Sequence, residues 1–248
     1  PLLVLYRQVE TAPVAPHPWF GDLPARWLND APDGRQVLVL EVPGGWTWQL
    51  PGEREQGTEL LVLSGELAVG SESLGPLDYL QLPAGADAAP WRAAAAGARL
   101  LLFLDPPRPT DGTRPRIVHT AALPWVPGTV AQRDTGIRLP LEVKDLRWVE
   151  STGQRTWLLR MGEGFAFPWE VHETAEEGFL ISGGFRLSEC LADGPVHGRY
   201  DPGGYFYRPA GIPHGGPDSG TDGEALFLLR TPTRLTVEFL ETCPRAAR

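Results

Sequence analysis

The sequence predicts an all-β protein made of two tandem domains, each a small β-barrel or jelly roll. Three observations carry this. Of 248 residues, 29 are glycine and 26 proline, and nothing sustains a helical period, so short strands joined by tight turns are expected. The chain repeats itself at an interval of about 120 residues, too long for a solenoid unit and suited to a whole β domain. A polar, proline-rich connector, DPPRPTDGTRPR from Asp105 to Arg116, separates the two copies as a linker should.

The copies correspond element by element. In the first half, QVLVLEVPGGWTW reads as a strand, a glycine turn and a second strand, answered later by RTWLLRMGEGFAF. Gly57 to Gly85 then runs apolar strand, Ser-Gly, alternating strand, glycine turn, aromatic strand and Pro-Ala-Gly. Ala175 to Gly211 repeats that order. ARLLLFLDPP closes the first copy and EALFLLRTP the second. The change of domain is placed near Gly112, giving domains 1–112 and 113–248, each with alternating short strands that fit a small barrel.

Composition bounds the partners. A net charge of -9, from 31 acidic against 22 basic residues, disfavours nucleic acid or an anionic membrane surface. Cys190 and Cys243 lie far apart in no CxxC pattern, so neither a disulfide framework nor a zinc knuckle is expected, and a reducing cytoplasm is the simplest compartment. The opening PLLVLYRQ lacks the basic start of a signal peptide, and no apolar run reaches membrane-spanning length. A cytoplasmic protein is expected.

The chemistry concentrates in FPWEVHETAEEGFLISGG, Phe167 to Gly184. Carboxylates beside an apolar strand are costly unless paired, hydrogen-bonded or bound to a cation. Alternation along a strand turns Glu170 and His172 to one face, and a hairpin returns Glu176 opposite them. In GGYFYRPAGIPH, the Pro-Ala-Gly turn precedes a strand that aims His214 into the barrel. Glu173 reads as solvated. His17, His119 and His197 stand in polar or turn-like contexts and read as surface or core residues.

These stretches resemble the two motifs of the cupin superfamily. Gly203, Pro209, Gly211 and His214 match G-x5-P-x-G-x2-H at every fixed position, with Asp218 where an asparagine often closes the motif. His172, Glu176 and Gly183 match H-x-H-x(3,4)-E-x6-G, with Glu170 where the first histidine is usual. Glu177 rivals Glu176, because a shift of one residue to Gly184 also fits. The resemblance implies a bicupin whose second barrel binds a divalent transition metal (Fe, Mn or Zn) through Glu170, His172, Glu176 and His214. A glutamate left over, Glu170 or Glu177, would move a proton. With Gly65 set on Gly183, the first half carries Gly52, Arg54 and Thr58 at the ligand positions, and Ala88 replaces the motif-two histidine. There the metal function does not carry over. Trp46, Trp48 and Leu50 fill that barrel, while Gly164, Ala166 and Pro168 leave room in the second; a Trp-lined pocket with Arg54 for an anionic ligand is the minor alternative.

EEGFLISGGF, with PWVPGTVAQRDTGIRLPLEVKDL ahead of it, resembles the cupin modules of ChrR-type anti-sigma factors. The helical zinc-binding domain of those proteins has no counterpart here, so sigma-factor binding is not carried over. The expected function is a metal-dependent enzyme acting on a small polar organic molecule, with dioxygen-dependent cleavage as first guess. The alternatives are a small-molecule-sensing regulatory module and a structural homodimer with a vestigial site. A homodimer is expected in each case.

Overall fold

The computed structural model describes residues 5–52, 54–108, 111–128 and 141–243. Residues 109–110 of the connector, and most of the GTVAQRDTGIRLP segment ahead of the second barrel, lie outside them. The regular structure of the described chain is strand, with a few single-turn 3-10 segments, and forms two sheets of 9 and 10 strands.

The first compact unit spans Val9–Leu123. Its sheet runs, neighbour to neighbour, through Arg116–Val118, Tyr79–Leu82, Gly57–Val69, Trp91–Asp105, Gln36–Val42, Pro24–Asp30 and Val14–Pro16. The second unit comprises Pro1–Gln8 and Pro124–Arg248. Its sheet runs through Leu5–Gln8, Gly204–Arg208, Glu176–Leu191, His214–Thr231, Gln154–Met161, Leu141–Val149 and Val126–Pro127. The order is the same in both sheets, which is the structural form of the sequence repeat. The units divide differently from the expected halves at Gly112. Arg116–Val118 pairs with Tyr79–Leu82 of the first sheet, and the same position in the second is filled by Leu5–Gln8 on Gly204–Arg208.

Each barrel holds its own core. Leu38, Leu40, Leu60, Leu80 and Leu102 are fully buried in the first, with Trp91. The second is built on Trp157, Leu180, Phe185, Phe206 and Phe227. Burial of such side chains contributes roughly 1.5–3 kcal/mol each. Gly65 and Gly183 mark the same irregularity in the two copies. Their φ angles are +77° and +83°, and a Cβ would stand 2.2 Å from Gly97 O and 2.1 Å from Glu224 O. Only glycine fits such a bend.

One expectation is overturned. Cys190 and Cys243 are joined in a disulfide, with Cα atoms 5.6 Å apart. Strand Val237–Leu240 returns antiparallel to Trp169–His172 and carries Cys243 back to the barrel, a return that spacing does not reveal. The cysteine argument for a reducing compartment therefore fails. No helix among the described residues is long and apolar enough to cross a membrane.

Two outcomes follow. Gly183→Ala should lower the urea midpoint, by about 2 kcal/mol of stability with unchanged m-value, since a positive φ is strained for alanine. The native protein, denatured without reductant, should titrate no thiol. Because the bridge spans a separation of 53 residues, reduction should cost about 4 kcal/mol on the loop-entropy account.

Candidate metal centre

Strand Trp169–His172 is short and turns Glu170 and His172 to the barrel interior, two residues apart as the pleat requires. It pairs with the start of His214–Thr231, placing Glu170 opposite His214. The turn before that strand is fastened to the site, because Gly211 N donates to His172 O at 2.9 Å. Two strands, fastened together by this turn, therefore deliver three side chains to one place.

The result is a buried cluster. Glu170 and His172 are each 5 % exposed and His214 4 %. One donor atom from each lies within 4.8 Å of the other two. Glu170 Oε1 stands 3.5 Å from His214 Nε2 and 3.8 Å from His172 Nε2, and the imidazoles cross edge to face with centroids 4.7 Å apart. Glu176 Oε2 lies 4.0 Å from His172 Nδ1 and from His214 Nε2. It also accepts from Arg208 Nη1 at 2.7 Å, so as a fourth ligand it would be shared with that guanidinium.

The residues fit a cation. Glu170 Oε2 and both ring nitrogens of His172 are buried without a hydrogen-bond partner, an arrangement that costs roughly 1–3 kcal/mol per group when nothing binds there. His214 Nδ1 donates to Ile212 O at 3.1 Å. That bond fixes the proton on Nδ1 and leaves the Nε2 lone pair facing Glu170. Burial pushes the His214 pKa down, and the Arg208 charge adds to this, so the ring is neutral and able to ligate. Burial also opposes ionisation of Glu170, but hydrogen bonding and charge from His172 and His214, when a ring presents a proton to it in the metal-free protein, outweigh burial and lower its pKa to about 2.

Glu177, expected as a rival ligand or proton carrier, is not at this centre. It is the next residue along the strand, faces the other way, and accepts from Arg230 Nη1 at 3.1 Å. Glu173 is exposed, as expected. His17 is a satisfied core residue, accepting from Trp19 N at 3.1 Å. His119 pairs with Asp78 at 3.0 Å and His197 with Ser188 at 2.7 Å.

Sequence reasoning missed Arg208. It is 2 % exposed, binds Glu176 and also donates to Glu189 Oε1 at 2.9 Å. Burial works against its charge, but Glu176 and Glu189 outweigh it and raise its pKa further. A signal was available: Phe206 and Arg208 alternate on the inward face of GYFYR, and both line the cavity.

The first barrel repeats the strand order and, among the described residues, has no such His and Glu cluster. Gly85 N donates to Arg54 O at 3.0 Å, the counterpart of the Gly211–His172 bond, so Arg54 stands where His172 does. Its guanidinium donates to the carbonyls of Pro51 at 2.8 Å and Ala86 at 2.7 Å, fastening loops. The cross-strand pair Glu176–Arg208 is matched by Thr58–Leu82.

Residues 113–234 match the family described as ChrR Cupin-like domain. A putative dioxygenase from Nostoc punctiforme is similar in structure over 97% of this chain and 87% of that one, with TM-score 0.72 and 19% identity. The Lactobacillus farciminis oxalate decarboxylase in complex with formate is similar over 95% of this chain and 88% of that one, with TM-score 0.67 and 10% identity. A point mutant of Bacillus subtilis oxalate decarboxylase aligns over 95% of this chain and 79% of that one, with TM-score 0.63 and 13% identity. No curated protein sequence matches the chain.

Acidification should destabilise the chelator-treated protein. His214 and Glu170 have folded pKa values below their ordinary 6.5 and 4.5. The unfolded chain then binds more protons, so stability is full above those values and lost below them. Urea unfolding should weaken from pH 7 to 5 through His214 and further below 4.5 through Glu170. Stability unchanged over that range would contradict the buried cluster.

Proposed function

We propose that the chain is a bicupin and a metal-dependent enzyme acting on a small organic molecule, with dioxygenase-like chemistry; the match of residues 113–234 to a ChrR Cupin-like domain and the fold shared with oxalate decarboxylase support this. One observation carries the reading: two buried histidines and a carboxylate, with unpartnered polar atoms, line an internal cavity of about 420 Å³. That volume lies in the range of small-molecule sites.

Glu170, His172 and His214 would hold the ion, with Glu176 as a shared fourth ligand. Their donor set suits iron(II), manganese or zinc, and two histidines with one carboxylate is the set of non-heme iron(II) oxygenases. A divalent metal held there would supply Lewis acidity and, if redox-active, one-electron chemistry. The Ile212 carbonyl keeps the His214 ring in one orientation. Glu176 is the cavity carboxylate placed to take a substrate proton, and its hydrogen bond from Arg208 holds it in position. Phe167, Phe185 and Phe227 wall the cavity and exclude water from these charges. The putative dioxygenase and the oxalate decarboxylases similar in structure support an enzyme, although fold alone does not select a reaction. The assembly proposed with it is a homodimer.

A second reading, a small-molecule-sensing regulatory module, is supported by the match of residues 113–234 to the ChrR Cupin-like domain. Oxygen uptake separates the two. Iron(II)-loaded protein should consume dioxygen with a substrate drawn from a panel of small hydroxylated or carbonyl compounds, and His172→Ala and His214→Ala should lower kcat/KM on the order of 100-fold or more. Saturable binding without turnover across the panel would support the sensor instead.

Metal content tests the site itself. Purified protein should hold about one divalent ion per chain, removed by His214→Ala and retained by Arg54→Ala, because only the second barrel has the ligand chemistry. Two ions per chain would contradict the assignment.

A further inference from the structure

We propose that the substrate is an uncharged molecule with an apolar, ring-sized body and a single hydroxyl or carbonyl oxygen for the metal end, not a small carboxylate. This rests on the reading of the second barrel as a metal site and narrows the polar molecule expected from the sequence.

Two observations carry it. Beyond the metal cluster and Arg208 the wall of the cavity of about 420 Å³ is mostly apolar: it includes Val143, Leu159, Phe185, Phe206, Phe227 and Leu229, with Asp145, Arg155, Tyr200 and Arg234 as its polar members. A polar body set against such a wall would lose its water without gaining partners. The second observation is charge. Glu176 and Glu189 pair with one guanidinium, Arg208, while Glu170 lies against His172 and His214, leaving two negative charges among these groups. One divalent ion brings this interior to neutrality. A carboxylate arriving with the substrate would then be a buried charge in need of its own partner, which is costly.

The other cations near the cavity do not provide one. Arg208 is committed to Glu176 and Glu189. Arg155 is paired with Asp145 and stacked on Trp157, and Arg230 is paired with Glu177. Arg234 is exposed, over the Trp148 ring at the rim. A neutral oxygen reaches the metal end without adding charge, and the ring-sized body takes up the apolar wall.

The test uses the whole protein reconstituted with cobalt(II), with cobalt content measured first. Binding of 1-naphthol, 1-naphthoate and oxalate is followed by quenching of tryptophan fluorescence. 1-Naphthol should bind at least tenfold more tightly than either anion, about 1.4 kcal/mol. Glu189→Gln removes one interior negative charge without touching the metal ligands. It should tighten 1-naphthoate binding several-fold and leave 1-naphthol within twofold. Leu159→Trp, or Leu235→Trp at the half-buried edge if the first does not fold, should weaken 1-naphthol at least tenfold. Equal or tighter binding of either anion overturns the proposal, as does a Glu189→Gln variant that shifts both naphthyl probes alike. Failure of cobalt to bind overturns the metal reading instead. The metal-free protein then still tests the apolar wall, since 1-naphthol should bind it and lose affinity in the tryptophan variant.

Discussion

Three carboxylates lie in the second barrel, Glu176 and Glu189 on the buried guanidinium of Arg208 and Glu170 beside His172 and His214, and this surplus of negative charge governs it. Buried charge is tolerated only when paired and hydrogen-bonded. Arg208 satisfies two of the three. The third, Glu170, is left facing two imidazoles, and its Oε2 and both ring nitrogens of His172 have no hydrogen-bond partner. A folded barrel with that interior needs a cation. The neutral His214, the fixed Nδ1 bond to Ile212 and the water-excluding aromatic wall all follow from the same need, because each sharpens the attraction for a positive ion.

The first barrel shows what the fold looks like without that constraint. Its strands pair in the same order, its glycine bend at Gly65 repeats that at Gly183, and the backbone bond to Arg54 repeats that to His172. Yet Thr58 and Leu82 replace the Glu176–Arg208 pair, and leucines close the interior. Architecture is common to both units. Chemistry resides in a handful of inward side chains, as expected when sites are grafted on folds.

Much of this was legible in the sequence. The repeat, the turn glycines and the convergence of Glu170, His172, Glu176 and His214 came from short spacings that strand geometry makes meaningful. What was illegible depends on long-range return of the chain. Arg208 meets Glu176 across strands 32 residues apart, and the Cys190–Cys243 bridge spans 53. The edge strands Leu5–Gln8 and Arg116–Val118 pair in the units opposite to those their sequence positions suggest. Glu177 shows how sharp the period of two is: one residue along the strand exchanges the metal cluster for an ion pair with Arg230 on the other face.

The central claim is that the buried cluster exists to hold a transition metal. X-ray absorption at the metal edge of protein purified without chelator tests it most directly. The account predicts a first shell containing two imidazole nitrogens near 2.0–2.1 Å with carboxylate oxygen beside them, taking zinc as the reference for distances. A spectrum with only water-like oxygen scatterers, or with no stoichiometric metal to measure, would contradict it.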